Sequence, residues 1–247
     1  MKMNVRNFKN LLKKATIDYL VPSISLNIEN NKIWASSISP DQNAIVFLNL
    51  PNDIIDKTDE HHEFNFQDIG SNVKPYIDLL KDELVDLQIG ENKILLKDST
   101  KKKINLFFCT VEFTNHFQGE DKSEKYDYFY ETQMSKDFLS RFNELKKVAV
   151  KFGKIYIVCK DGKLYIESTD KTNSFSNSVS LETDDVNPEL DFSMCFDFRN
   201  LSYILNTIED NIENFKMKCT YLEEYEAGMI LFENGNEEKY FITSKNE

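Results

Sequence analysis

Apolar and polar positions along the chain recur with two periods. Helical spacing appears four times: Val5, Phe8, Leu12 and Ala15; Tyr76, Ile77, Leu80 and Leu84; Phe138, Phe142, Leu145 and Ala149; Leu201, Ile204, Leu205 and Ile208. The second set has Ser71 or Asn72 as a cap and Pro75 in its first turn. Between the helices, "AIVFLNL", "ELVDLQI", "KINLFFCTVEF", "KIYIVCK", "SVSLE", "LDFSMCFDF", "NFKMKCTYLEE" and "GMILFE" read as strands. Hairpin turns punctuate them. "KDGKLYIES" places Asp161-Gly162 at a tight turn, and "ENNKIWASS", "IGENKILLKDS" and "FENGNEEKYFITS" repeat the device at intervals of roughly sixty to seventy residues.

A longer repeat contains the short one. "FKNLLKKA" followed by "SLNIENNKIWASS" matches "FLSRFNELKKVA" followed by "IYIVCKDGKLYIEST", so the chain reads as a tandem duplication. The expected organisation is an N-terminal domain over residues 1–120, a connector over 121–133 and a C-terminal domain over 134–247. Each domain has two helices packed on antiparallel sheets, an α+β architecture. Such sheets leave unpaired edge strands, and pairing with further copies in a closed head-to-tail ring resolves them.

The chain has 247 residues, 40% of them hydrophobic, enough for one large or two ordinary folded domains. No apolar run approaches a membrane span and "MKMNVRNFKN" lacks the apolar core of a secretory signal. The expected setting is cytoplasmic, or the replication compartment of a host cell if the chain is viral, with no membrane partner. Cys109, Cys159, Cys195 and Cys219 sit singly in strand-like runs and read as small buried hydrophobes.

The net charge of −12 argues against a nucleic-acid partner until its distribution is considered. Residues 1–17 carry +5 and residues 135–151 carry +3, which leaves −20 on the remainder. At about 100° per residue, Arg6, Lys9 and Lys13 gather opposite the Phe8, Leu12 and Ala15 stripe. Lys136, Ser140, Asn143 and Lys147 lie opposite Phe138, Phe142 and Leu145. One lysine-rich helix face is ordinarily just solvated surface. Its recurrence at matching positions of a duplication favours a shared surface that meets phosphates, with Arg6, Lys9, Lys13, Lys14, Lys136, Arg141, Lys147 and Lys151 as the candidates. Contacts of that kind are blind to base sequence.

With these residues in view, nearly the whole chain resembles a DNA sliding clamp of the two-domain type, similar to proliferating cell nuclear antigen and the phage-type polymerase clamps. The opening helix "FKNLLKKA", the strands "IWASSISPDQNAIVFLNL", the segment "IGSNVKPYIDLLKDE" with "LVDLQIGENKILL", and the closing "GMILFENGNEEKYFITSKNE" carry the likeness. The resemblance implies a homotrimeric ring with helices lining a hole for duplex DNA, no catalysis and no cofactor or metal. It also implies placement by an ATP-dependent clamp loader and a DNA polymerase tethered by a short peptide, so that processivity comes from high effective concentration. In such clamps the partner site lies under the connector near the C-terminus. Here that implies Ile38, Ile45, Tyr126, Tyr128, Phe129, Gly228, Met229 and Phe241, of which Ile45 and Phe241 read equally well as plain core. Ser140 and Asn143 stand where cellular clamps commonly carry cations, and Ser244 where they often carry proline. The second and fourth helices are poor in positive charge.

Catalytic motifs are lacking: there is no phosphate-binding glycine loop and no nucleophile elbow, and "DEHHEF" with His61 and His62 reads as a solvated polar turn rather than a metal site. "DSTKKK" reads as a charged turn. The rival to an encircling clamp is a clamp-like protein-interaction scaffold that does not encircle DNA.

Overall fold

The structure, a computed structural model, describes residues 1–29, 31–56, 60–169, 178–185, 189–222 and 226–245. Asn30 of the first expected turn, Glu223 and Glu224 of "NFKMKCTYLEE", and the closing Asn246 and Glu247 lie outside the described residues. The chain divides into one unit of Met1–Asp121 with Gly235–Lys239, and another of Lys122–Asn234 with Tyr240–Glu247. The expectation gave all of 134–247 to the second domain; residues 235–239 go instead with the first unit.

In the first unit the chain runs β1 (Lys2–Asn4), α1 (Val5–Ala15), β2 (Ile24–Ile28), β3 (Lys32–Ile38), β4 (Ala44–Pro51), β5 (His62–Phe66), α2 (Lys74–Ile77), β6 (Leu84–Ile89), β7 (Lys93–Lys97) and β8 (Lys103–Phe107). The second part repeats the order: β9 (Tyr130–Gln133), α3 (Lys136–Phe152), β10 (Lys154–Lys160), β11 (Lys163–Ser168), β12 (Val179–Asp185), β13 (Phe192–Asp197), α4 (Phe198–Ile208), β14 (Lys216–Leu222), β15 (Ala227–Asn234) and β16 (Glu238–Thr243). Sheet order repeats too. Strands β1-β6-β7-β8 correspond to β9-β14-β15-β16, and β5-β2-β3-β4 to β13-β10-β11-β12. The duplication inferred from sequence is therefore present strand by strand.

Corresponding strands differ in what borders them. In the first unit β4 is bordered by residues 237–239, where the Asn49 amide donates to the Glu237 carbonyl (2.8 Å). Its counterpart β12 is an edge among the described residues, and so is β8, the counterpart of β16.

The helices form where caps and apolar stripes coincide. Asn4 Oδ1 accepts from the Asn7 amide at the start of α1, whose Val5, Phe8, Leu11, Leu12 and Ala15 are buried on β3 and β4. Ser135 Oγ accepts from the Phe138 amide at the start of α3, and Gly153, at φ 66°, ends it in the left-handed conformation that glycine adopts without a side-chain clash. Asp197 accepts from the Arg199 and Asn200 amides at the start of α4, and Phe198 stacks on Phe142 with ring centres 5.7 Å apart. Each large side chain buried this way contributes roughly 1.5–3 kcal/mol. Asp161 (φ 53°) and Gly162 (φ 75°) supply the paired positive angles expected of their turn.

Two expected elements are shorter than their patterns. Helix α2 is a single turn, preceded by a wide turn over Ile69–Val73, and has no side-chain cap. Leu84 belongs to β6 because the Glu83 carbonyl accepts from the Val5 amide and Leu84 pairs with Asn4, while Asp82 turns away to accept from Ser99. The run "KINLFFCTVEF" is a strand only as far as Phe107. The Phe108 amide donates to Asn92, the Cys109 amide to Asn65, and Val111–Phe113 closes as a tight helical turn.

Candidate nucleic-acid interface and partner pocket

The candidate cations fall into two groups. In the first unit Arg6 is exposed and Lys13 half-buried on α1, and neither makes an ion pair among the described residues. Lys9 instead reaches Asp78 (2.9 Å), which also binds Lys74 (2.6 Å), so one carboxylate clasps α1 to α2. The hydrogen bond from Lys74, followed by that from Lys9, holds the Asp78 carboxyl below its ordinary value. Lys14 does not share the exposed face: its ammonium lies 2.8 Å from Glu238, which is buried. In the second unit Lys147 and Lys151 are exposed on α3, whereas Lys136 approaches Glu213 (3.4 Å) and Arg141 binds Asp137 one turn back (2.7 Å). Four of the eight candidates are thus partnered by carboxylates of their own unit.

The partner candidates also divide. Ile38 and Ile45 are cross-strand neighbours, half-buried, and the Ile38 amide donates to Asn115. In the second unit a cavity of about 460 Å³ is lined by Phe129, Tyr156, Phe192, Met194, Cys195, Tyr221, Gly228, Ser244 and Lys245 among others. Phe129 and Gly228 were anticipated. Tyr128 lies elsewhere: its ring takes the Lys218 ammonium at 5.3 Å, its hydroxyl donates to the Ser123 carbonyl, and Tyr126 meets it edge to face. In an extended connector, adjacent side chains leave opposite faces, so Phe129 turns to Phe192 (4.9 Å between centres). Met229 and Phe241 are buried. Ser244 shapes the cavity from its rim, its Oγ accepting from the Gly228 amide (2.7 Å).

Gly228 has a steric reason. A Cβ there would come within 2.4 Å of Met194 Sδ, so the absent side chain lets Met194 form the cavity wall. Sequence reading missed Phe192, Met194 and Tyr221; Phe192 and Met194 alternate within a strand-like run and looked like uniform core.

The two histidines of "DEHHEF" do not converge. His61 stacks on Trp34 at 5.4 Å with Nε2 3.0 Å from Asn27 Oδ1, and His62 stacks on Phe64. Among the described residues no group of three His, Cys, Asp or Glu side chains is placed to hold a metal ion, and no helix is long and apolar enough to cross a membrane.

No protein-family model matches the chain. In sequence it is 30% identical over 106 residues to the DNA polymerase sliding clamp of Methanococcus maripaludis strain C7 and 28% identical over 120 residues to that of strain S2. The matched parts cover 42% and 45% of this chain and 38% and 46% of the relatives, less than half of their length. In structure the TM-score is 0.68 with PCNA of Thermococcus kodakaraensis, at 15% identity and over 99% of both chains. It is 0.66 with the Helicobacter pylori beta clamp, at 17% identity, over all of this chain and 64% of that one. The duplicated α+β units therefore carry the DNA sliding-clamp fold, and the chain is similar in sequence to DNA polymerase sliding clamps.

Proposed function

We propose that this protein is a DNA sliding clamp: copies close head to tail into a homotrimeric ring around duplex DNA and tether a DNA polymerase, after placement by an ATP-dependent loader. The repeated strand order carries this reading. β4 is bordered by the β16 segment in the first unit, and its counterpart β12 and the counterpart of β16, β8, are sheet edges among the described residues, open to the equivalent pairing with another copy. A pairing that joins the end of one copy to the start of the next closes into a ring when its rotation permits.

The cations Arg6, Lys13, Lys147 and Lys151 supply sequence-independent attraction to phosphates, while Lys9, Lys136 and Arg141 must exchange a carboxylate for a phosphate. That modest attraction suits a protein that holds DNA by enclosure and slides. The cavity beneath Phe129, with aromatic walls and a Ser244–Lys245 rim, is suited to an apolar anchor from a polymerase peptide, and on the first unit, taken by itself, the half-buried Ile38 and Ile45 are further candidates for an apolar contact. None of this requires a reacting group.

Retention on DNA tests the reading. Ring loaded onto nicked circular DNA should stay bound through a high-salt wash and leave once the circle is linearised. Equal loss from both forms overturns enclosure. It would favour the scaffold reading, which the carboxylate partners of half the candidate cations support.

A further inference from the structure

The sheet β1-β6-β7-β8 buries one face, through Val85, Leu87, Ile94, Leu96, Ile104 and Leu106, and turns the other to solvent. Strand register sets the outward side chains in rows. One row runs Lys2, Asp86, Lys97 and Lys103 across all four strands. Its one carboxylate is taken by Lys2 (2.7 Å), and neither Lys97 nor Lys103 makes an ion pair among the described residues. Those two lysines stand directly opposite each other, an arrangement that costs stability unless an anion lies between them. The next row is Gln88, Leu95 and Asn105, and beyond it Lys93 stands opposite Phe107 with its ammonium 5.3 Å from the ring centre. Phe107 is 63% exposed and also borders a groove of about 750 Å³ shared with Tyr76 and Leu79. A smaller groove, of about 280 Å³, opens over the sheet face itself, lined by Met1, Gln88, Leu95, Lys97 and Lys103 among others.

Residues 93–107 hold five lysines and one aspartate, and that aspartate, Asp98, is buried and accepts from the Thr100 hydroxyl and the Lys102 amide. The turn "DSTKKK" thus leads into a strand face that is cationic within an acidic chain. Two features choose the occupant. Opposed lysines suit phosphates, and an exposed ring beside them suits a base whose own face is free, the combination that holds single strands. In a duplex that base face is covered by its neighbours, and an acidic peptide would meet the lysines but offer the ring no stacking partner. We propose that this face of the first unit binds single-stranded nucleic acid, with backbone phosphates along Lys97 and Lys103 and an unpaired base against Phe107. The site uses none of the cations of α1 and α3. It does not depend on ring closure, because pairing at a strand edge lies in the plane of the sheet and leaves its face open.

Fluorescence anisotropy of a labelled single-stranded oligothymidine of about twelve nucleotides, read across about 0.05–0.2 M salt, tests it. The native chain should bind the oligonucleotide at the lowest salt and release it as salt rises. Lys97→Gln with Lys103→Gln should weaken binding at least tenfold and flatten the logarithmic salt slope by about 1.4, which is about 0.7 for each lost phosphate contact. Phe107→Ala should weaken it about tenfold with the slope unchanged. Because the lysine double change relieves a like-charge pair, its melting temperature should be no lower than native, which separates lost binding from lost folding. A native chain that leaves the oligonucleotide free at the lowest salt, or variants that bind it as the native chain does, overturns the site. A polyglutamate peptide that displaces the oligonucleotide at equal charge overturns the nucleic-acid assignment in favour of an acidic protein partner.

Discussion

Lys14 and Glu238 stand 224 positions apart in the chain and 2.8 Å apart in space. A lysine that belongs by spacing to a cationic helix is spent on a carboxylate only 3% exposed. Replacing Lys14 by Met should destabilise the protein by about 2–4 kcal/mol, because a buried carboxylate loses its ion pair with the lysine. Adding Glu238→Gln should recover part of the loss. Urea denaturation measures both, and DNA retention of the folded Lys14→Met protein should match the native one.

The exposed cations should behave in the opposite way. Changing Arg6, Lys13, Lys147 and Lys151 together to Gln should leave the melting temperature within a few degrees of native. It should flatten the dependence of DNA affinity on salt, each lost phosphate contact removing about 0.9 from the logarithmic slope. An unchanged slope removes these residues from the interface.

Asp78 gives the first unit an acid limit. Its carboxyl is held below the ordinary value by Lys74 and Lys9, so its contribution is fully present above the unfolded value and disappears as pH falls through the folded one. Thermal stability should decline as pH falls below the ordinary aspartate range of about 4, and Asp78→Asn should flatten that part of the curve. Because the carboxylate is partly solvated, the effect should be well under 1 kcal/mol and is best read as the difference between the two curves.

Gly228 tests the cavity. In Gly228→Ala the new Cβ meets Met194 Sδ and pushes it towards the space the anchor would fill. Peptide affinity should fall about tenfold, near 1.4 kcal/mol, with self-association unchanged. Undiminished binding moves the docking site elsewhere.

Much of the fold was legible because period and cap agree. Phe8 and Leu12, Phe142 and Leu145, and Leu201 and Leu205 all lie on buried helix faces. Helix α2 was read too long because Leu84 continues the apolar spacing, whereas the Val5–Glu83 hydrogen bond drawing residues 83 and 84 into the sheet leaves no local trace. For the site, spacing located the cationic helices but not their partners. The Arg141–Asp137 pair lies within one helical turn and could be read from sequence, while the Lys14–Glu238 pair could not. Tyr128 and Phe129 were assigned together by aromatic character, yet an extended backbone sends neighbours apart, and only Phe129 lines the cavity.

The cysteines offer a spectroscopic handle. Cys159, Cys195 and Cys219 are buried, and burial pushes the Cys219 thiol far above its usual range, whereas Cys109 is only half-buried and sits on the lip of the trough beside β8. A thiol-reactive dye on the native chain should attach there first. Its emission would then report, in real time and without engineered labels, when a neighbour arrives or departs.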